Sequence, residues 1–142
     1  VNLSAEESRR RLAAAEVGRL ATASAEGQPH LVVFTFAVEG DTLVTAIDHK
    51  PKRSMTALRR LQNIAENPQV SILVDHYEPD WERLWWARGD GMARILTEEA
   101  DRRRPVELLV AKYPQYAERP PEGPVIEVTV ARWSGWSYSP GG

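Results

Sequence analysis

Two stretches of this 142-residue chain carry the side chains best suited to chemistry. The first, Asp75–Gly91, holds three of the five tryptophans together with three aspartates, two glutamates and two arginines. Flat rings beside fixed charges are what a slot for a planar, charged ligand requires. The same rings would also serve a strand packed on another sheet or subunit. The second stretch, Lys50-Pro51-Lys52-Arg53-Ser54, groups three cations just before a predicted helix. Free backbone N–H groups and the dipole at a helix start both favour negative charge, so the pattern suits an anion. A solvated loop tip would have the same composition. Arg59 and Arg60 lie farther along that helix, on a solvated face with one of the two turned toward the ligand of the loop.

Other chemistries lack their signatures. There is no glycine-rich dinucleotide or P-loop motif and no G-x-S-x-G elbow. His30, His49 and His76 are isolated, without metal-ligand spacing, so no metal site is expected. His30 opens a strand and reads as a surface or hydrogen-bonding histidine. Trp133 and Trp136 read as packing rings that anchor the C-terminus, with a ligand lid as the alternative. The chain has no cysteine, which excludes disulfides and thiolate sites and fits a reducing compartment. A formal charge of −2 and a pI of about 6.0 give no basis for nucleic-acid binding. Fifteen of the eighteen basic residues are arginine, the side chain best shaped for bidentate contacts to carboxylate or phosphate. No apolar run reaches the roughly 20 residues of a membrane span, and Val1–Glu7 has no signal layout. A cytoplasmic protein with no membrane partner is expected.

The elements that must position these groups form a single domain, residues 1–142. Ser4 and Glu7 predict a capping box for a helix over Ala5–Glu16, ended by Gly18. Strands are predicted over Leu20–Ala23, His30–Val38, Thr42–Ile47, Val70–Val74, Trp85–Leu96 and Val125–Trp133, with a tight turn at Glu39–Asp41. Gly89 and Gly91 predict a bulge or a close backbone approach inside the fifth of these. A helix capped by Ser54 runs to Glu66, with Leu58, Leu61, Ile64 and Ala65 as its buried stripe. A third helix runs from Thr97 to about Tyr113, kinked at Pro105, and Pro114–Pro124 is a loop. The fold class is mainly β (α+β): six antiparallel strands in a barrel or strongly bent sheet, with flanking helices.

The order of these segments resembles the pyridoxamine 5′-phosphate oxidase-like split β-barrel family. The likeness runs from about Arg19 to Trp136. It rests on Gly27-Gln28-Pro29-His30 feeding a strand, on Asn63-Ile64-x-x-Asn67-Pro68 after the basic helix, and most specifically on Asp75-His76-Tyr77 through Asp80-Trp81-x-x-Leu84-Trp85-Trp86-x-Arg88. Its closest branch is that of F420-dependent enzymes. The resemblance implies a homodimer with two sites at the subunit interface, each holding the deazaflavin F420 or, alternatively, FMN. The ring would lie against His30, Val32, Phe34 and Thr45. The phosphate would meet Arg60, counting back from Asn67-Pro68, or Lys50 and Lys52, reading from the strand end. Trp85, Trp86 and Arg88 would come from the other subunit, with Arg88 neutralising the phosphate or the acidic tail of F420. The implied activity is hydride transfer between the cofactor and a small electron-poor organic substrate. Its proton would come from water, Asp48, His49, His76 or Tyr77. A non-catalytic cofactor carrier or ligand-binding dimer on the same barrel is the alternative.

Overall fold

The β-branched and aromatic run that starts at Pro29 does not continue as one strand to Val38. It breaks at Thr35–Phe36 into β2 (Pro29–Phe34) and β3 (Ala37–Glu39). The structure, a computed structural model, describes residues 1–47 and 55–140. Those residues form seven strands rather than six, the others being β1 (Gly18–Ala23), β4 (Thr42–Ala46), β5 (Gln69–His76), β6 (Trp85–Leu96) and β7 (Val125–Ser137). All pair antiparallel in the order β2-β1-β5-β6-β7-β4-β3.

That order puts β2 and β3 at opposite edges of the sheet, yet only Thr35 and Phe36 separate them. Laid flat, seven strands would hold their edges about 29 Å apart. Three Cα steps reach at most about 11 Å. The sheet must therefore curl until its edges nearly meet, and the result is a split β-barrel flanked by helices. The seam is bonded where Thr45 Oγ1 donates to the Thr35 carbonyl at 2.7 Å.

Alternation along the strands sorts side chains into two cores. Leu12, Leu20, Phe34, Phe36, Leu43, Ile72 and Ile126 are among those that fill the barrel interior. Ala37, Val44, Leu96, Leu109, Tyr113 and Val125 form a second core. It lies beneath α3 (Glu99–Lys112), which contacts β3, β4 and β7. The outer face of β2, β1, β5 and β6 has no such cover, and Leu31, Val33, Leu73 and Met92 stand exposed there.

Several boundaries differ from expectation for local reasons. In α1 (Ala5–Ala14) the Ser4 side chain accepts from the Glu7 N–H at 3.1 Å. The Glu7 carboxylate does not complete the box; it pairs with Arg10 and Arg11. Those two arginines hold its carboxyl at about 2, below the usual carboxylate range. Gly18 opens β1 instead of merely ending the helix. In α2 (Met55–Glu66) the buried positions are Ala57, Asn63 and Ile64, with Leu61 partly buried, while Leu58 is exposed. Leu61 and Ile64 of the predicted stripe are thus covered, while Ala57 and Asn63 take the places of Leu58 and Ala65, which turns the buried face part of the way round the helix. Ser54, the expected cap, lies outside the described residues. Pro114 begins a further helix, α4 (Pro114–Glu118), where a loop was expected, because a proline in the first turn loses no helical hydrogen bond. The segment after Ser134 remains in β7 through Ser137, paired with the start of β6.

Gly91 fulfils the expected close approach: the β6–β7 register shifts between Asp90 and Gly91. A Cβ on Gly91 would fall 2.9 Å from the Thr129 carbonyl carbon and from the Val130 Cα. Backbone cannot yield as a flexible side chain would. Gly91→Ala should therefore cost about 3 kcal/mol in denaturant unfolding. A loss under about 1 kcal/mol would contradict this packing.

Candidate functional site

A cleft that joins a cationic side chain to the barrel core lies at the seam. It measures about 410 Å³ and is lined by Val33, Phe34, Thr35, Thr45, Ala46, Ile47 and Arg60, with Val17, Tyr116 and Pro121 at its sides. Strand ends of β2 and β4 form its floor, α2 presents Arg60, and α4 presents Tyr116. No carboxylate is present among the described residues that line it. The Arg60 Nε is buried and has no hydrogen-bond partner. Burial pushes the guanidinium below its ordinary pKa, though an arginine remains a cation at neutral pH. A buried, unpartnered charged donor costs several kcal/mol unless something satisfies it. The cleft thus sets a cationic donor beside apolar side chains and the hydroxyl-bearing residues Thr35, Thr45 and Tyr116, chemistry that can take an anion.

The wall is held from outside by the end of α3. Lys112 Nζ donates to the carbonyls of Ala15 at 2.6 Å and Phe36 at 2.8 Å, and lies 4.3 Å from the Phe36 ring centre. Burial pushes this ammonium down to about 8. The Tyr113 hydroxyl accepts from the Phe36 N–H at 3.0 Å, and its own proton faces the carbonyls of Glu16 and Phe36. Both backbone groups of Phe36 are therefore satisfied by side chains, at the point where no strand partner exists for them.

The predicted site residues separate into groups. Phe34, Thr45 and Arg60 meet in the cleft. Val32 does not join them: it packs on the barrel core, and its neighbour Val33, on the other face of β2, lines the cleft. His30 also lies away from the cleft, cross-strand from Thr22, with its Nδ1 buried and unpartnered. Lys50 and Lys52 lie outside the described residues, as do Asp48 and His49. Trp85 and Trp86 point to opposite faces of β6, as consecutive strand residues must. Trp85 lies under α1, 5.2 Å from the Arg11 guanidinium. Trp86 and Arg88 share the bare outer face, 5.4 Å apart, where with Leu31, Leu73, Asp75 and Tyr77 they border a hollow of about 660 Å³. In one chain these three residues do not reach the cleft. Of the proposed proton donors, His76 is engaged by Glu78, and Tyr77 borders the outer hollow. Trp133 fulfils its anchoring role, donating from Nε1 to Asp41 at 2.8 Å. Among the described residues, no cluster could hold a metal ion.

Thr35, Tyr116, Val33 and Pro121 were not foreseen in the site. For Tyr116 the signal was present: Tyr113-Pro114-Gln115-Tyr116 puts two rings three residues apart, one turn of a helix that Pro114 can begin.

Residues 4–137 match the family model described as pyridoxamine 5′-phosphate oxidase. The chain belongs to this family. No curated protein matches its sequence. Similar solved structures share its fold. An FAD-binding protein from Mesorhizobium loti is 21% identical with a TM-score of 0.74, over 95% of each chain. The FAD binding protein from Mycobacterium smegmatis is 19% identical with a TM-score of 0.63, over 96% of each. The heme storage protein from Vibrio cholerae is 16% identical with a TM-score of 0.68, over 93% of this chain and 90% of that one. The pyridoxamine 5′-phosphate oxidase fold of this chain thus carries a seam cleft and a bare sheet face that adjoin at Val33, with no helix among the described residues long and apolar enough to cross a membrane.

Lys112→Met keeps the length of the stem but removes the donors to Ala15 and Phe36. It should lower stability by about 2 kcal/mol in thermal or denaturant unfolding. An unchanged melting temperature would show that the seam does not need this clamp.

Proposed function

We propose that the seam cleft binds a flavin nucleotide and that the protein is a homodimeric oxidoreductase acting on a small electron-poor organic substrate. The observation that carries this is Arg60: a half-buried cation whose Nε is buried and unpartnered, in a cleft with no carboxylate among its described lining residues. A phosphate would satisfy it, and the FAD-binding relatives in fold support a flavin. Phe34, Ala46, Ile47 and Val33 give apolar side chains against which a flat ring can lie. When bound, a flavin supplies hydride or electron transfer, and the protein supplies orientation. No side chain is needed as a nucleophile, in keeping with a chain that has no identifiable triad.

The deazaflavin F420 is the second ligand to consider. It would need cations for its acidic tail as well as for its phosphate. Arg88, the residue expected to meet that tail, lies 3.1 Å from Asp90, and Arg19 lies 3.2 Å from Asp75. Both outer-face arginines are thus already paired, which favours the flavin. A non-catalytic carrier uses the same cleft and differs only in turnover.

The dimer rests on the outer sheet face. Leu31 and Val33 are about two-thirds exposed, at 68% and 66%, beside Leu73, Tyr77 and Met92. An apolar patch of this kind is characteristic of an interface. A second copy seated there would cover Trp86 and set its Arg88 near the partner's sheet. Trp85, on the inner side under α1, stays within its own subunit.

Titration of the apoprotein with FMN and with F420, followed by tryptophan fluorescence, should give tighter binding of FMN. Arg60→Ala should weaken FMN by at least about tenfold. Equal affinity in the variant would remove the anion site. Turnover is tested by oxidation of reduced cofactor with a panel of quinones and enones; binding without any acceleration would leave a carrier. Separately, Leu31→Arg combined with Leu73→Arg should yield monomers in sedimentation, and an unchanged dimer would place the interface elsewhere.

A further inference from the structure

The cleft holds a second kind of donor besides Arg60. Thr35 Oγ1 and the Tyr116 hydroxyl lie 3.3 Å apart, and either can donate to the other. Each hydroxyl owns one proton. Only one proton can occupy the space between them, so the hydroxyl that accepts must direct its own proton elsewhere. No other side-chain hydrogen bond is made by either group among the described residues, and both residues line the cleft. The pair therefore presents one outward O–H in the same cleft as the buried Arg60 Nε–H. Thr45 adds none, because its hydroxyl proton goes to the Thr35 carbonyl.

We infer that the Thr35–Tyr116 hydroxyl pair is the second arm of the anion site, donating to a phosphate oxygen alongside Arg60. This rests on the flavin reading of the cleft and adds a specificity to it. A cleft with two donors and no carboxylate among its described lining residues selects a ligand group that has several acceptor oxygens and no proton to give. It favours a phosphate ester over a hydroxymethyl or an ammonium group. The pair also has a built-in redundancy. Removing either hydroxyl frees the proton of the other, so one outward donor survives each single change.

The test compares FMN with riboflavin, which has the same ring but no phosphate. Wild type, Tyr116→Phe, Thr35→Val and the double variant are titrated with both by tryptophan fluorescence. Each single variant should lose at most about threefold in FMN affinity. The double should lose about tenfold or more, with riboflavin affinity unchanged. The excess of the double over the product of the singles is the signature, because a merely structural role would weaken both ligands alike. Tyr116→Phe with Thr35→Ala serves if the first double fails to fold. A double variant that keeps the wild-type preference for FMN over riboflavin overturns this inference alone. A wild-type protein that binds neither ligand overturns the flavin reading and this inference with it.

Discussion

Two residues join opposite edges of a seven-stranded sheet, and the rest of the molecule is arranged around that constraint. Because Thr35–Phe36 can reach only about a third of the flat-sheet width, the barrel has to close. Closure leaves the backbone of the link without ladder partners. Buried peptide groups cannot be left so, and the Tyr113 hydroxyl, Lys112 ammonium and Thr45 hydroxyl take their places. The helical corner of α3 and α4 is thus a structural part of the seam. The cleft is the space that remains between strand ends which meet but do not pair.

The same seam explains why the site combines an apolar floor with a charged side chain. Phe34 and Ile47 belong to the barrel core and border the cleft where the strands stop. Arg60 is carried in by α2, whose buried stripe runs through Ala57, Leu61 and Ile64, a phase that turns position 60 inward. The predicted stripe of Leu58, Leu61, Ile64 and Ala65 shares Leu61 and Ile64 with it, and burial of Ala57 and Asn63 in place of Leu58 and Ala65 turns the buried face toward position 60. Here the packing of a few apolar residues decides where the charge of Arg60 lies.

Strand alternation has an equally sharp effect on the tryptophan segment. Trp85 and Trp86 are adjacent in sequence but separated by the thickness of the sheet. One stacks with Arg11 of α1 and belongs to the fold of its own chain. The other stands with Arg88 on a face left bare because α3 covers only the β3–β4–β7 half. The Asp75–Gly91 stretch is therefore not one site. It is the end of β5, a short turn and the start of β6, and it delivers side chains to two surfaces.

By itself the sequence determined the family, the mainly antiparallel barrel, the hairpin at Gly40 and the close approach at Gly91. These depend on local chemistry: turn residues, β-branched runs, a glycine where only a glycine fits. The resemblance pointed to Arg60 or to Lys50 and Lys52, but spacing along the chain could not show that Arg60 turns into the cleft, that Val33 rather than Val32 would face it, or that His30 would lie away from it. Each depends on the phase of a helix or strand, and a one-residue error in phase moves a side chain to another face. Nor could the sequence bring Tyr116 to Thr35, 81 residues away in the chain. Only closure of the barrel, forced by a two-residue link, puts those two hydroxyls and Arg60 around one cleft.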